Sequence, residues 1–171
     1  MKRLSAIIIL CCLLWSCSKD AVDEFADASF ILLANSGTDT SGIKPVEYSF
    51  AFHPGVDKDT VPVLVKLIGR LSDQDREVAV TVDEAATTAL PTDFELPSPV
   101  LLRAGRHVDT IALVLYKSDR LLTEKFKIRL VINANEHFQP GPVGNRQIDI
   151  TFSDMLAKPA WWNSVVETNF L

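Results

Sequence analysis

At 171 residues, with a formal charge of −5 and 47% hydrophobic residues, the chain has the size of one domain and ample material for a core. A charged fraction of 23% together with nine phenylalanines excludes a disordered polyelectrolyte. The acidic balance, with no basic run beyond Lys2-Arg3, argues against nucleic acid as a partner. Three cysteines leave open a metal site, a disulfide with a spare thiol, or another use until the N-terminus is read.

Lys2 and Arg3 make a positive start, and the ten residues Ala6 to Trp15 are apolar. That run is too short to cross a bilayer, which takes about 20 residues, and matches a secretory signal instead. It ends in Leu14-Trp15-Ser16-Cys17, which resembles a bacterial lipobox, with Trp15 where a small residue is usual. The following Ser18-Lys19-Asp20 and Asp23-Glu24 are similar to the export signal that sends Bacteroidetes lipoproteins to the cell surface. The alternatives are an ordinary cleaved signal peptide and a buried N-terminal helix. On the lipoprotein reading, residues 1–16 are the signal, Cys17 is the lipidated residue at the head of a tether over 17–27, and 28–171 form the domain. Cys11 and Cys12 leave with the signal, so no thiol chemistry is left for a folded site. Removing 16 of 171 residues leaves 155, with 15 basic against 22 acidic side chains. Several acyl chains on Cys17 anchor the protein to the outer membrane, facing the cell surface, where a single chain would hold only marginally.

Beyond Asp27 the hydrophobic period is two, and it recurs. Phe30 to Ala34 is continuously apolar and reads as an interior strand. Tyr48, Phe50 and Phe52 alternate with Ser49, Ala51 and His53. Val61 to Ile68 reads as a second interior strand. Val78, Val80 and Val82 alternate with polar or small neighbours and give the cleanest half-buried strand. Ile111, Leu113 and Leu115 follow the same rule, as do Phe126 to Ile132 and Ile148 to Phe152. Turn chemistry separates these runs, in Asn35 to Pro45, Pro54-Gly55, a predicted hairpin at Arg103 to Arg106, and Gln139-Pro140-Gly141-Pro142. Only Ser153 to Lys158 carries a short helical pattern. About seven short strands with frequent turns predict an all-β, antiparallel β-sandwich of the immunoglobulin-like kind.

Signals for chemistry are sparse. His53, His107 and His137 stand 54 and 30 residues apart, in no zinc spacing, and read as exposed or capping residues. No nucleophile elbow and no phosphate-cradling glycine loop is present. Asp73, Asp75, Glu77 and Glu84 fall on calcium-loop positions, but Val78 stands where that loop needs glycine and the segment reads as a strand. No metal and no cofactor is therefore expected. A glycosidase pair is defined in space rather than in sequence. Asp93 and Glu95 are the nearest candidates, with a turn role favoured. Trp161-Trp162 is the remaining candidate for ligand or interface contact, weighed against closing one end of the sandwich.

The stretches Val80-Thr-Val-Asp83, Leu90-Pro-Thr-Asp-Phe94, Arg103-Ala-Gly-Arg106 and Glu124-Lys-Phe-Lys-Ile-Arg-Leu130 together resemble a Calx-β module. Where calcium-binding Calx-β modules carry acids, this chain has Lys117-Ser-Asp-Arg-Leu-Leu122, so the likeness is one of fold without the calcium cluster. The chain as a whole resembles a family of Bacteroidetes surface lipoproteins classed as a domain of unknown function. That resemblance rests on the lipobox with Ser18-Lys-Asp20, on Tyr48-Ser-Phe-Ala-Phe52 and on Phe152-Ser-Asp-Met-Leu-Ala-Lys-Pro-Ala-Trp-Trp162. It implies a non-catalytic role beside a TonB-dependent outer-membrane importer, in the capture of glycan, glycoprotein or peptide nutrient. Members usually continue past the paired tryptophans, which implies a chain shortened at its C-terminal end. The competing readings are a secreted hydrolase whose carboxylates meet only in the fold, and a structural adhesin-like module.

Overall fold

The computed structural model describes residues 29–34 and 45–155, and over these the chain is built almost wholly of strands. In chain order they are β1 (Phe30–Ala34), β2 (Val46–Ser49), β3 (Lys58–Ile68), β4 (Arg76–Glu77), β5 (Val80–Val82), β6 (Phe94–Glu95), β7 (Leu101–Leu102), β8 (Val108–Tyr116), β9 (Phe126–Ile132), β10 (Gln139–Pro140) and β11 (Gln147–Ser153). One sheet has the order β10-β1-β3-β8-β6, a second β2-β11-β9-β5, and β4 pairs with β7 in a small separate ribbon. The inner faces of the two large sheets share one core, as a β-sandwich requires: Ile31, Val63, Ile111 and Leu113 from the first meet Ile128, Leu130, Ile150 and Phe152 from the second.

The longest ladder joins β3 to β8, antiparallel, from Lys58 opposite Tyr116 to Lys66 opposite Val108. Period-two alternation sends Val61, Val63 and Val65 inward on one strand and Ile111, Leu113 and Leu115 inward on the other. Truncating a fully buried leucine such as Leu113 costs about 2–5 kcal/mol, because the closed sheet cannot collapse into the hole. Pro62 cannot donate to a ladder, and it lies beyond Leu64, the last residue of β3 that pairs with β1. As the apolar runs predict, β1 and β3 are interior strands, β1 lying between β10 and β3, and β3 between β1 and β8.

Five features differ from the sequence expectation. Eleven strands form among the described residues rather than seven, because the four additional ones, β4, β6, β7 and β10, span two residues each, too short to show any period. Two pairings are parallel, β1 with β10 and β2 with β11, so the sandwich is mixed rather than purely antiparallel. The run Val78 to Val82 changes partners midway: the Val78 N–H donates to the Val100 carbonyl at 2.9 Å, whereas β5 pairs with β9. Alternation fixes which side chains face inward but not which strand lies alongside. Arg103 to Arg106 does turn, with Gly105 at φ 70°, yet it links β7 in the small ribbon to β8 in the large sheet. The helical pattern read from Ser153 also gives way, since β11 continues through Ser153, and residues 156–158 lie outside the described set.

The core face of β8 carries one carboxylate. Asp109 occupies the inward register and is 3% exposed. Arg103 meets it from the preceding turn: the Arg103 Nε–H donates to it at 2.8 Å and the backbone N–H at 2.9 Å, with a further close contact from the guanidinium Nη2. The guanidinium holds the Asp109 carboxyl well below the ordinary carboxylate range, against the burial that raises it and with help from the N–H groups of Arg103 and Thr110. A depressed native pKa contributes stability above the unfolded value of roughly 3.9, and that stability is lost as the pH falls below it. Asp109→Asn is therefore expected to cost about 1–3 kcal/mol at neutral pH, with the deficit shrinking toward pH 3. Urea denaturation at both pH values checks this, and a deficit that does not change with pH contradicts it.

Candidate functional site

The chain turns sharply where β2 ends. Ser49 is followed by a 3-10 turn over Phe50–Phe52, closed by the His53 N–H donating to the Phe50 carbonyl at 2.8 Å. Pro54 biases the residue before it away from helix, and Gly55 takes the left-handed φ of 81° that a side chain resists. The turn cancels the alternation that would have carried Phe52 inward with Phe50. Phe50 is fully buried, whereas Phe52 is 67% exposed.

Tyr48 is the pivot of this corner. Its ring meets Phe50 edge-on at 4.9 Å and stacks on His53 at 5.2 Å. Its hydroxyl donates to Asp59 of β3 at 2.5 Å, tying the β2 edge of one sheet to the other sheet. Burial, followed by the bond to Asp59 and that residue's negative charge, pushes the Tyr48 hydroxyl well above its ordinary pKa. The same bond, with the Thr60 N–H, draws Asp59 below its ordinary value. The His53 Nδ1–H donates to the Ser49 carbonyl at 3.1 Å.

Beside this corner the outer face of the second sheet forms a shallow groove of about 400 Å³. Its floor comes from β2 and β11, where Glu47 stands opposite Thr151 and Ser49 opposite Ser153. Tyr48, Phe52, Lys125 and Met155 complete the walls. The groove thus combines an exposed aromatic ring, several hydroxyls, one carboxylate and one ammonium. A second concavity of about 460 Å³ opens between β5 and β6, with a mostly apolar lining from Val82, Ala89, Pro91 and Phe94.

Several carboxylates of the sandwich are engaged in pairs away from this groove. Asp93 is 3% exposed; it accepts from Arg120 at 2.6 and 2.8 Å and from the Leu90 N–H at 2.7 Å. Arg120 in turn lies 4.4 Å over the Phe126 ring. Glu95, the other member of the pair proposed from sequence, accepts from the Tyr116 hydroxyl at 2.7 Å instead of facing Asp93 across a cleft. Arg129 holds Asp149 with two bonds of 2.6 and 2.8 Å and keeps it below its ordinary value, while Lys117 pairs with Asp154 at 2.8 Å. Asp75 of the calcium-loop pattern accepts from the Ala104 N–H at 2.8 Å, which is turn chemistry. Among the described residues, no three His, Cys, Asp or Glu side chains gather to hold a metal ion, and no helix is long and apolar enough to cross a membrane.

Cys17, Trp161 and Trp162, the site residues read from sequence, lie outside the described residues. The sequence reading missed Phe52 and the groove beside it, because Tyr48-Ser-Phe-Ala-Phe52 was taken as strand throughout. The signal for a swing outward was His53-Pro54-Gly55, directly after the last aromatic.

Both tyrosines of the chain are bonded to carboxylates, and the Tyr116 hydroxyl is raised by its bond to Glu95 and by burial. Alkaline titration followed by tyrosinate absorbance is expected to show neither ionising at the ordinary value of 10.0. Tyr48→Phe should cost about 0.5–1.5 kcal/mol and leave one late-titrating group. A full tyrosinate signal from the folded protein at the ordinary value contradicts the clasp.

No curated protein matches the chain. Among solved structures, a two-domain protein of unknown function from Bacteroides fragilis is similar with a TM-score of 0.51 at 13% identity, over 76% of this chain and 46% of that one. A candidate carbohydrate-binding protein from Bacteroides ovatus gives a TM-score of 0.48 at 14% identity, over 67% of this chain and 37% of that one. Another Bacteroides ovatus protein of unknown function gives 0.48 at 14% identity, over 77% and 48%. The chain spans less than half the length of each of these structures. At such identity the Bacteroides fragilis structure speaks to fold alone. A model of the family described as a domain of unknown function, DUF4843, matches residues 25–171, and the chain belongs to that family.

Proposed function

We propose that the chain is a non-catalytic, lipid-anchored protein of the outer-membrane surface. In this reading Cys17 carries the lipid and residues 17–27 form the tether. The sandwich assists capture of glycan, glycoprotein or peptide nutrient beside a TonB-dependent importer. Trp161 and Trp162 are further contact candidates.

The supporting observation is the state of the carboxylates. A general acid needs a pKa raised toward neutrality, and a hydrolytic pair needs two acids facing one cleft. Asp59, Asp109 and Asp149 are instead shifted downward, each by a hydrogen-bonding partner, and Asp93 is enclosed with Arg120. These are acids spent on holding structure. The open groove beside Phe52 offers contact groups without such a pair. The Calx-β likeness belongs to the same reading: Asp93 closes its turn onto Leu90, and Arg120 stands in the segment that is acidic in calcium-binding modules.

Membrane fractionation of cells expressing the full chain tests the anchor. Cys17→Ser should move most of the protein from the membrane to the soluble fraction, and should reduce co-purification of importer components. Unchanged membrane association of the variant overturns the lipid reading.

A further inference from the structure

We propose that the outer-face groove between β2 and β11 is a subsite for a neutral sugar ring, stacked on Phe52 and hydrogen-bonded by Glu47, Lys125 and the hydroxyls of Ser49 and Thr151. The proposal rests on the capture reading above and names the ligand class and the place.

Phe52 is the first reason. At 67% exposed, its ring contributes little to the core, which Phe50 fills from the same turn. A ring held out beside a polar floor suits a ligand with an apolar face and hydrophilic edges, as the C–H face and hydroxyl rim of a pyranose provide. The second reason is the floor. Glu47 and Ser49 on β2 face Thr151 and Ser153 on β11 in a grid about 4.8 Å across and about 6.6 Å along the strands. This spreads donors and acceptors over the width of a single sugar ring.

Charge and backbone narrow the class further. Among the described residues the groove lining holds one acid, Glu47, and one base, Lys125, whose charges balance. The floor lies on the face of the sheet, where the backbone groups of β11 already pair with β2 on one side and β9 on the other. An extended peptide draws its affinity from unpaired strand edges, and the one at hand, the outer edge of β2 at the end of its sheet, borders the groove rather than forming its floor. The floor presents side chains, and four of the eight lining residues, Tyr48, Ser49, Thr151 and Ser153, carry hydroxyls, of which Tyr48 donates to Asp59 and Ser49 to the Met155 carbonyl at 3.4 Å. The volume of about 400 Å³ is near the low end for small-molecule sites and leaves the groove open, as suits one stretch of a longer chain. The clasp of Tyr48 to Asp59 and His53 holds the corner before any ligand arrives, which limits the entropy lost on binding.

The test uses the full chain against an array of neutral oligosaccharides, acidic oligosaccharides and peptides, followed by calorimetry on the best binder. A neutral oligosaccharide should bind. Phe52→Ala should weaken it about tenfold or more, Phe52→Trp should retain it, and Glu47→Gln should weaken it several-fold. Phe52 is exposed, so the alanine variant is expected to keep the melting temperature of the parent. Sugar binding that survives both Phe52→Ala and Glu47→Gln places the ligand elsewhere and overturns the groove while the capture reading stands. Binding of peptides or acidic glycans alone overturns the ligand class, again without touching capture. Binding of none of the three overturns both.

Discussion

The architecture depends on the register of β3 against β8. Nine consecutive pairs, from Lys58 with Tyr116 to Lys66 with Val108, commit six aliphatic side chains to one face at once. A slip of either strand by one residue would send its own three to solvent and bring Thr60, Pro62 and Leu64, or Thr110 and Ala112, inward, so the burial itself enforces the pairing. Everything else is hung on this ribbon. β1 adds to one side of it and β6 to the other, and the second sheet closes over its inner face.

Polar bonds then fix the ends that burial leaves loose. Asp109 interrupts the aliphatic face of β8 at its entry, and Arg103 neutralises it there. At the far end Tyr48 reaches from β2 to Asp59 of β3, and Lys117, just past β8, meets Asp154, just past β11. Each joins elements that no backbone ladder connects. A buried acid of this kind adds little net stability beyond an apolar substitute, but it permits one arrangement and penalises others. The consequence for function is that these acids stabilise the fold, while Glu47 on the outer face lines the groove beside Phe52.

Sequence reading succeeded where a physical period ran long enough to declare itself. β8, β9 and β11 each alternate over several residues, and their inward aliphatic and aromatic sets are legible in the sequence, while β3 is legible as a continuously apolar interior strand. It faltered at partners and ends. Val78 to Val82 alternates without a break, yet the chain leaves one neighbour for another at Val78. β6, β7 and β10 are two residues long and exist because a neighbouring strand passes close by. Asp109 was hidden for a different reason: in the text it is one more polar residue before an apolar run, and only the register of Ile111, Leu113 and Leu115 extended backward shows it facing the core. Phe52 shows the converse. Its spacing from Tyr48 and Phe50 promised burial, and a turn dictated by His53-Pro54-Gly55 denied it. The candidate groove is therefore invisible as a motif, being made of three separate stretches of chain that meet only once β2 lies parallel to β11.

Native-state hydrogen exchange tests the central claim most directly, because it reads the stability of each ladder separately. The account predicts that the slowest amides belong to the middle of β3 and β8, around Val63 and Leu113, and exchange only with global unfolding. Amides of β2 should exchange faster, and Tyr48→Phe should speed them further without altering the slowest set. Equal protection across both sheets, or a slowest set lying in β2 and β11, would contradict the view that the β3–β8 ribbon is the frame on which the rest is built.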